Sequence, residues 1–280
     1  MWLEDVDKET KEQLLQDIEV SLTVWETMLR EYLSNDCVFI FAKGSAVKPW
    51  DDPIDYVPII SDVDIHVRLS AERVMFPQQI GSSLDASLWF TETYEERFWQ
   101  ANPSGMHLPR VQVVNLNVIE RNPSYVPPRA SDLRVLFGEV LLTETPEASV
   151  VRRMDRKNLL ADLKEFVRAI PEKMFDRSGV EFYTLLRQMN WRVSPSPFRL
   201  LTQVLTDVNP LDVWTWNRSK VCTQLVELGY KTIASHYRGF YLAGWDLFSE
   251  GFSSPNPYRR IISEGYQLLR LCLETVEELH

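Results

Sequence analysis

Hydrophobic residues near the start of the chain recur at the spacing of one helix face. Between residues 9 and 33, apolar side chains return every three or four positions and charged residues fill the gaps. This periodicity is typical of an amphipathic helix, and Asn35-Asp36 then interrupts it, so the pattern predicts a helix over 9–33. The apolar members of the face are Leu14, Leu15, Ile18, Leu22, Trp25, Met28, Leu29 and Tyr32.

Two short strands follow in the pattern. Residues 37–42 form a continuous run rich in strand-forming apolar residues, which predicts a buried strand. Residues 62–69 alternate, so that Asp62, Asp64 and His66 share one face of a second strand. The proline-rich and acidic segment 50–60 between them predicts a loop inserted between the strands.

The rest of the chain divides into two parts. Helical pieces are predicted over 70–84 and 94–100, and a valine-rich third strand over 110–119. After Pro146 helical periodicities dominate to the end of the chain. The pattern therefore predicts an α+β fold, with an α/β-type domain over 1–145 and an all-helical domain over 146–280.

Composition narrows the classes of partner. The 280 residues are 45% hydrophobic and carry a formal net charge of −10, which suits a folded core and disfavours nucleic acid as a partner. Cys37, Cys222 and Cys272 show neither a disulfide framework nor metal-binding spacing, so we expect reduced thiols. Since residues 1–10 lack a signal-peptide pattern and no apolar stretch reaches the ~20 residues of a membrane helix, we expect a cytoplasmic protein without membrane contact.

The ends of the first two strands carry the candidate chemistry. At the rise of a strand, Asp62 and Asp64 have Cα atoms roughly 6.5 Å apart on one face, so both carboxylates can lean toward one divalent cation such as Mg²⁺. Gly44 allows a close approach to the backbone, and Ser45 supplies a hydroxyl and can cap a helix start that presents N–H groups to an anion. Lys43 adds a positive charge. The pattern suggests a site for a nucleoside triphosphate and Mg²⁺.

These residues also carry a family resemblance. Phe41-Ala42-Lys43-Gly44-Ser45 and Ser61-Asp62-Val63-Asp64-Ile65 resemble the signature of the polymerase-β-type nucleotidyltransferases, and the small-molecule branch with the aminoglycoside adenylyltransferases is the most similar. The resemblance implies a nucleotidyltransferase domain with a short mixed sheet, followed by a helical domain. It implies that Gly44 and Ser45 contact the triphosphate and that Asp62 and Asp64 ligate Mg²⁺. It further implies transfer of a nucleoside monophosphate, with ATP as the expected donor, to a hydroxyl of a small acceptor.

The sequence departs from this family at one chemical group. The family has a third carboxylate on a later strand, whereas the matching strand here carries no acid. The alternatives are amides on or near that strand, an acid just past its end, or acids elsewhere in the first half of the chain. These candidates are Gln112, Asn115, Asn117, Glu120, Glu92, Asp51, Asp52 and Asp55.

Two further readings stay open because of this departure. The chain could be a catalytically impaired relative that binds nucleotide or a protein partner, or its helical half could be an interaction module. The sequence leaves acceptor, base preference and oligomeric state open, a homodimer included.

Overall fold

The computed structural model describes residues 8–70, 73–76, 79, 81–122, 125–141 and 146–279. It shows a mixed α/β chain with a four-stranded mixed sheet and a helical C-terminal region, which confirms the predicted fold class at that level. The chain forms two compact units, one from residues 1–48 and 61–145 and the other from 49–60 and 146–280. This division differs from a single boundary at 145/146 because residues 49–60 group with the later helices.

The first unit is built on a mixed sheet with the strand order β3-β2-β1-β4. β1 pairs antiparallel with both β2 and β4, and β2 pairs parallel with β3. The strands are β1 Cys37–Lys43, β2 Val63–Leu69, β3 Val111–Asn115 and β4 Arg134–Phe137.

Two long helices belong to the same unit. α1 spans Lys8–Leu33, as the periodicity predicts, and α2 spans Ser82–Ala101. They pack through aromatic rings: Trp25 of α1 stacks on Phe90 of α2, with the two ring centroids 5.6 Å apart. The predicted helix over 70–84 is wrong at 70, 73–76, 79 and 81, which are not helical, and only its last residues, 82–84, lie in α2. The predicted helical piece over 94–100 lies wholly within α2. Residues 71, 72, 77, 78 and 80 lie outside the described part.

The third strand is shorter than its valine-rich pattern predicts. It ends at Asn115, and Leu116–Ile119 form the short helix α3 instead of continuing the strand. The side chain of Asn115 accepts a hydrogen bond from the backbone N–H of Asn117 at 2.9 Å. Because this cap satisfies a backbone N–H at the start of a helix, it competes with hydrogen bonding in the sheet. This competition explains why β3 ends at Asn115.

The second unit contains seven helices within its described residues. α10 packs against α4, α5 and α9, and at Gly265 of α10 an added Cβ would collide with the sulfur of Met189 on α5. The helices are α4 Ala148–Phe175, α5 Phe182–Val193, α6 Ser196–Val204, α7 Pro210–Thr215, α8 Arg218–Glu227, α9 Lys231–Ser249 and α10 Pro255–Glu278.

Residues 49–60 are packed against these helices and are not an inserted solvated loop. Arg218 of α8 donates to the carbonyls of Ile54 and Asp55, at 2.9 and 3.1 Å. Asn190 of α5 donates to the carbonyl of Ile60, and Trp245 of α9 to that of Pro53, both at 2.8 Å. The segment lacks regular structure, and side chains of the helices satisfy backbone groups that a helix or strand would otherwise pair.

Two composition-based expectations can be compared with the fold. All three cysteines are free thiols; Cys37 and Cys272 are buried and Cys222 is half-buried. Within the part of the chain that the structure describes, no helix is both long enough and apolar enough to cross a bilayer.

Candidate active site

The end of β1 and the start of β2 bring three of the predicted site residues together. Lys43, the last residue of β1, is the register partner of Asp64 on β2. Gly44 follows with a φ of +84°, and a Cβ built on it would lie 2.7 Å from Oδ2 of Asp64. The carboxylate of Asp64 therefore lies directly against the glycine backbone, which leaves no room for a side chain at position 44.

The chain turns tightly after Gly44. The backbone N–H groups of Val47 and Lys48 both donate to the carbonyl of Gly44 at 3.2 Å. Ser45 lies at the start of this turn and is half-buried. The expectation that Ser45 caps a helix is wrong, because residues 45–47 form a turn and no helix follows before β2. The N–H groups of Val47 and Lys48 thus close the turn on the Gly44 carbonyl, and no helix dipole supports an anion here.

Asp62 lies one residue before β2, so the strand starts at Val63 and not at Asp62 as predicted. Its Oδ1 accepts a hydrogen bond from Nη1 of Arg110 at 2.5 Å. The side chain of Asp62 is 10% exposed and that of Arg110 is 37% exposed. No pattern in the sequence indicates this arginine, because Arg110 comes close to Asp62 only through the parallel pairing of β2 with β3.

Gln112 is the candidate that the sheet places beside Asp64. The two residues are register partners on the parallel strands β2 and β3. Paired residues of neighbouring strands direct their side chains to the same face of the sheet. Of the residues considered as substitutes for a third carboxylate, Gln112 thus occupies the neighbouring-strand position, where it offers an amide oxygen and no charge.

The other candidates near β3 make structural contacts. Asn117 donates to the carbonyl of Leu69 and accepts from its N–H, both at 3.0 Å, and so extends the pairing of β2 beyond the sheet. Glu120 forms an ion pair with Arg68. Asn115 caps α3, as described above. These contacts explain the three residues without a role in the site.

The acids of residues 49–60 make their described contacts inside the helical unit. Both carboxylate oxygens of Asp52 accept from Arg238 at 2.8 Å. Asp55 is only 2% exposed, and Oδ1 accepts from the N–H of Ser219 at 2.8 Å, which corrects the expectation of a solvated loop acid. Asp51 accepts from Asn217 at 2.7 Å. Glu92, the remaining candidate, is exposed on α2.

Buried polar groups continue along the same face of β1 and β2. His66 is 3% exposed and stacks on Phe41, its register partner, with the ring centroids 5.0 Å apart. Burial, and then the charge of Lys43, lower the pKa of His66 to about 3, so the imidazole is neutral at physiological pH. Its Nδ1 has no hydrogen-bond partner among the described residues. Burial also lowers the pKa of Lys43, although Asp64 opposes the shift.

The available oxygen ligands fit a magnesium ion that shares its coordination with substrate. Mg²⁺ is commonly held by one or two carboxylates, with waters and substrate phosphates completing its shell. Asp62 and Asp64 supply two carboxylates, and Gln112 supplies a neutral oxygen. Across the described ranges, no three His, Cys, Asp or Glu side chains come together as a metal-binding group. The described residues thus offer Asp62 and Asp64 as candidate carboxylate ligands for Mg²⁺, without a group of three such side chains around them.

Comparison with known proteins identifies no family for this chain. Neither the protein-family models nor the curated proteins give a match to this chain.

Proposed function

We propose that the chain is a Mg²⁺-dependent nucleotidyltransferase that moves a nucleoside monophosphate from an NTP, with ATP as the expected donor, to a hydroxyl of a small molecule. The observation that supports this most directly is the packing of the Asp64 carboxylate against Gly44 at a left-handed turn. It places a carboxylate oxygen, a typical ligand of Mg²⁺, against the backbone of the tight turn that ends β1. A triphosphate needs both, because its phosphates and its Mg²⁺ bind side by side.

In this proposal the site residues contact different parts of the substrates. Gly44 and the hydroxyl of Ser45 contact the phosphate oxygens, and Lys43 adds positive charge beside them. Asp62 and Asp64 would hold Mg²⁺, which when bound neutralises negative charge on the phosphates. The acceptor oxygen forms a bond to the α-phosphorus as the bond to pyrophosphate breaks. Gln112 can accept a hydrogen bond from the acceptor hydroxyl but cannot take its proton, so that proton leaves to water.

The first test follows label from the α-phosphate. Protein, Mg²⁺ and α-labelled ATP are incubated with the small-molecule filtrate of a cell extract, and both pyrophosphate and labelled products are measured. We expect the double substitution Asp62→Ala/Asp64→Ala to reduce label transfer at least about 100-fold, since interactions with developing charge contribute on that scale. The exposed Asp85→Asn on α2 is the matched control and should transfer at the wild-type rate. Equal transfer by the double variant would exclude these two aspartates from the reaction.

A second candidate function is nucleotide binding without transfer. It is supported by the neutral Gln112 beside Asp64 and by the lack of a three-acid group in the described part of the chain. Calorimetry with Mg²⁺ and ATP separates the two functions. Binding that depends on Asp64, together with no pyrophosphate release in any filtrate, would favour a sensor or a protein-binding role.

A further inference from the structure

Arg110 occupies the carboxylate that the proposed function assigns to the metal. Its Nη1 lies 2.5 Å from Oδ1 of Asp62, the residue just before β2. The Asp62 side chain is mostly buried, at 10% exposure, with the guanidinium on one of its two oxygens. A cation therefore already sits where a second cation is expected to bind.

The backbone fixes the start of both strands but leaves the Arg110 side chain accessible. The carbonyl of Arg110 accepts from the N–H of Val63 at 2.9 Å, and Val63 pairs with Val111 in the parallel ladder. The Arg110 side chain is 37% exposed and has several rotatable bonds. Such a side chain can leave Asp62 without any change in the sheet.

Arg110 competes with a divalent cation for the carboxylate of Asp62. The planar guanidinium of arginine matches the geometry of a carboxylate and brings a positive charge to it. Oδ1 of Asp62 accepts from Arg110, so a metal ion that uses this oxygen must displace the guanidinium. A metal ion on the other oxygen would lie close to the arginine and be repelled by its charge. In both cases the ion pair opposes metal binding at Asp62.

We propose that Arg110 neutralises Asp62 in the metal-free protein and lowers the affinity of the site for a free divalent cation, so that Asp62 is released only when a cation replaces the guanidinium. This inference rests on the proposed function, since it takes Asp62 as a metal ligand. It predicts that removing the positive side chain of Arg110 increases the affinity of the site for a metal ion.

The test uses Mn²⁺ alone as the probe, with free Mn²⁺ measured by electron paramagnetic resonance during titration of the full chain. We expect Arg110→Gln to bind Mn²⁺ roughly three- to tenfold more tightly than the wild type, in keeping with the modest strength of a partly exposed ion pair. Arg110→Lys keeps the charge and should stay closer to the wild type. Arg134→Gln, which removes a comparable ion pair with Glu19 in the same unit, is the matched control and should leave the affinity unchanged.

The gain must also depend on Asp62. In the Asp62→Asn background, the additional Arg110→Gln should change Mn²⁺ affinity by less than about twofold. A merely structural role for Arg110 would weaken metal binding when the arginine is lost, which is the opposite direction. Thermal unfolding of each variant confirms that it is folded.

The outcomes separate this inference from the proposed function. If Arg110→Gln binds Mn²⁺ no more tightly than the wild type while Asp62→Asn and Asp64→Asn weaken binding, the role of Arg110 is overturned and the metal site stands. If Arg110→Gln gains affinity equally with and without Asp62, the competition at Asp62 is also overturned. If Mn²⁺ binds with unchanged affinity to both aspartate variants, or does not bind at all, the metal site and the inference fail together.

Discussion

Gly44 is the residue at which the backbone conformation and the candidate chemistry are most closely connected. Its φ of +84° lies in the left-handed region, and the Asp64 carboxylate fills the place of a side chain. Either property alone would favour glycine. Together they mean that any substitution must change both the turn and the position of Asp64.

We predict that Gly44→Ala weakens binding of Mg²⁺–ATP by tenfold or more, because the new methyl group displaces Oδ2 of Asp64. The left-handed backbone should also cost about 1–3 kcal/mol in the free energy of unfolding. Calorimetry and denaturant titration measure the two effects. Gly81→Ala is the matched control: φ at Gly81 is +97°, but its Cβ would meet nothing within 4 Å, so stability should fall while nucleotide binding does not. Equal nucleotide affinity for Gly44→Ala and wild type would contradict the assigned role of this contact.

At the residue scale, the sequence predicts the contacts that consecutive strands make. Gly44 and Asp64 meet because β1 and β2 are neighbours in both sequence and sheet, and their apolar patterns are clear. Arg110 and Gln112 reach the two aspartates through the parallel β2–β3 pairing instead. Neither periodicity nor spacing fixes the register of such a non-local pair, so the sequence could only name Gln112 among several candidates and missed Arg110.

One buried carboxylate connects elements of the first unit. Asp17 of α1 is fully buried, and its Oδ2 accepts from the backbone N–H groups of Met106 and His107, both at 3.1 Å. His107 Nδ1 lies 2.8 Å from the same oxygen, and Asn102 donates to Oδ1 at 2.7 Å. The segment between α2 and β3 is thereby fixed to α1. Since β3 begins just after this segment, Asp17 helps to set the position of the strand that carries Gln112.

We predict that Asp17→Asn lowers the free energy of unfolding by about 2–4 kcal/mol at neutral pH, because an amide NH₂ would face backbone N–H donors that are then left unpaired. Burial raises the pKa of Asp17, but hydrogen bonds from His107 and Gln13 outweigh it, so the folded-state pKa lies below the ordinary 3.8. A lowered pKa contributes stability above about pH 4, and this contribution is lost as the pH falls through the folded-state value.

Denaturant titrations from pH 7 to pH 3 measure this effect. The difference in stability between wild type and Asp17→Asn should shrink below about pH 4, whereas the exposed Asp85→Asn should match the wild type near neutral pH. A difference that stays constant over this range would show that the charge of Asp17 is not what stabilises the unit.

At the element scale, local periodicity predicts helices and strands whose partners lie along one face. α1 buries Leu14, Ile18, Leu22, Met28 and Leu29 of its predicted apolar face, whereas Leu15 of that face is exposed. The errors occur where a local polar contact overrides the pattern. The valine-rich run continues past Asn115, but the Asn115 cap starts α3 and ends the strand. A run of apolar residues contains no signal of this competition.

Residues 49–60 make the helical unit discontinuous in sequence. Ile54, Val57 and Ile60 are fully buried, and the mostly buried Arg218 donates to two carbonyls of the segment. Without the segment, Arg218 would be a buried charge without these acceptors, and the apolar surfaces that cover the three side chains would face water.

We therefore predict that residues 146–280 expressed alone lack cooperative thermal unfolding, and that a peptide of residues 49–60 added in trans restores it. Circular dichroism in the near ultraviolet detects the fixed aromatic packing. The same peptide with Asp55→Ala is the matched control and should restore less, because Asp55 accepts from the N–H of Ser219 at 2.8 Å. Cooperative unfolding of the fragment alone, unchanged by peptide, would refute a structural role for the segment.

At the scale of the whole molecule, the sequence predicts the change from mixed to helical structure near residue 146. It does not predict the assignment of residues 49–60, because prolines and acids are equally typical of a solvated loop. What decides the outcome is a set of contacts with helices more than a hundred residues later, and such contacts leave no local pattern.

The discontinuous helical unit also has a consequence for inheritance. Recombination at the junction 145/146 would transfer the helices to another protein without residues 49–60, which belong to the same compact unit. A functional graft needs breakpoints at 48/49 and 60/61 as well, and these interrupt the very stretch between Gly44 and Asp62. The two halves of this chain are therefore expected to diversify as a pair, by point substitution, more readily than by swapping of modules.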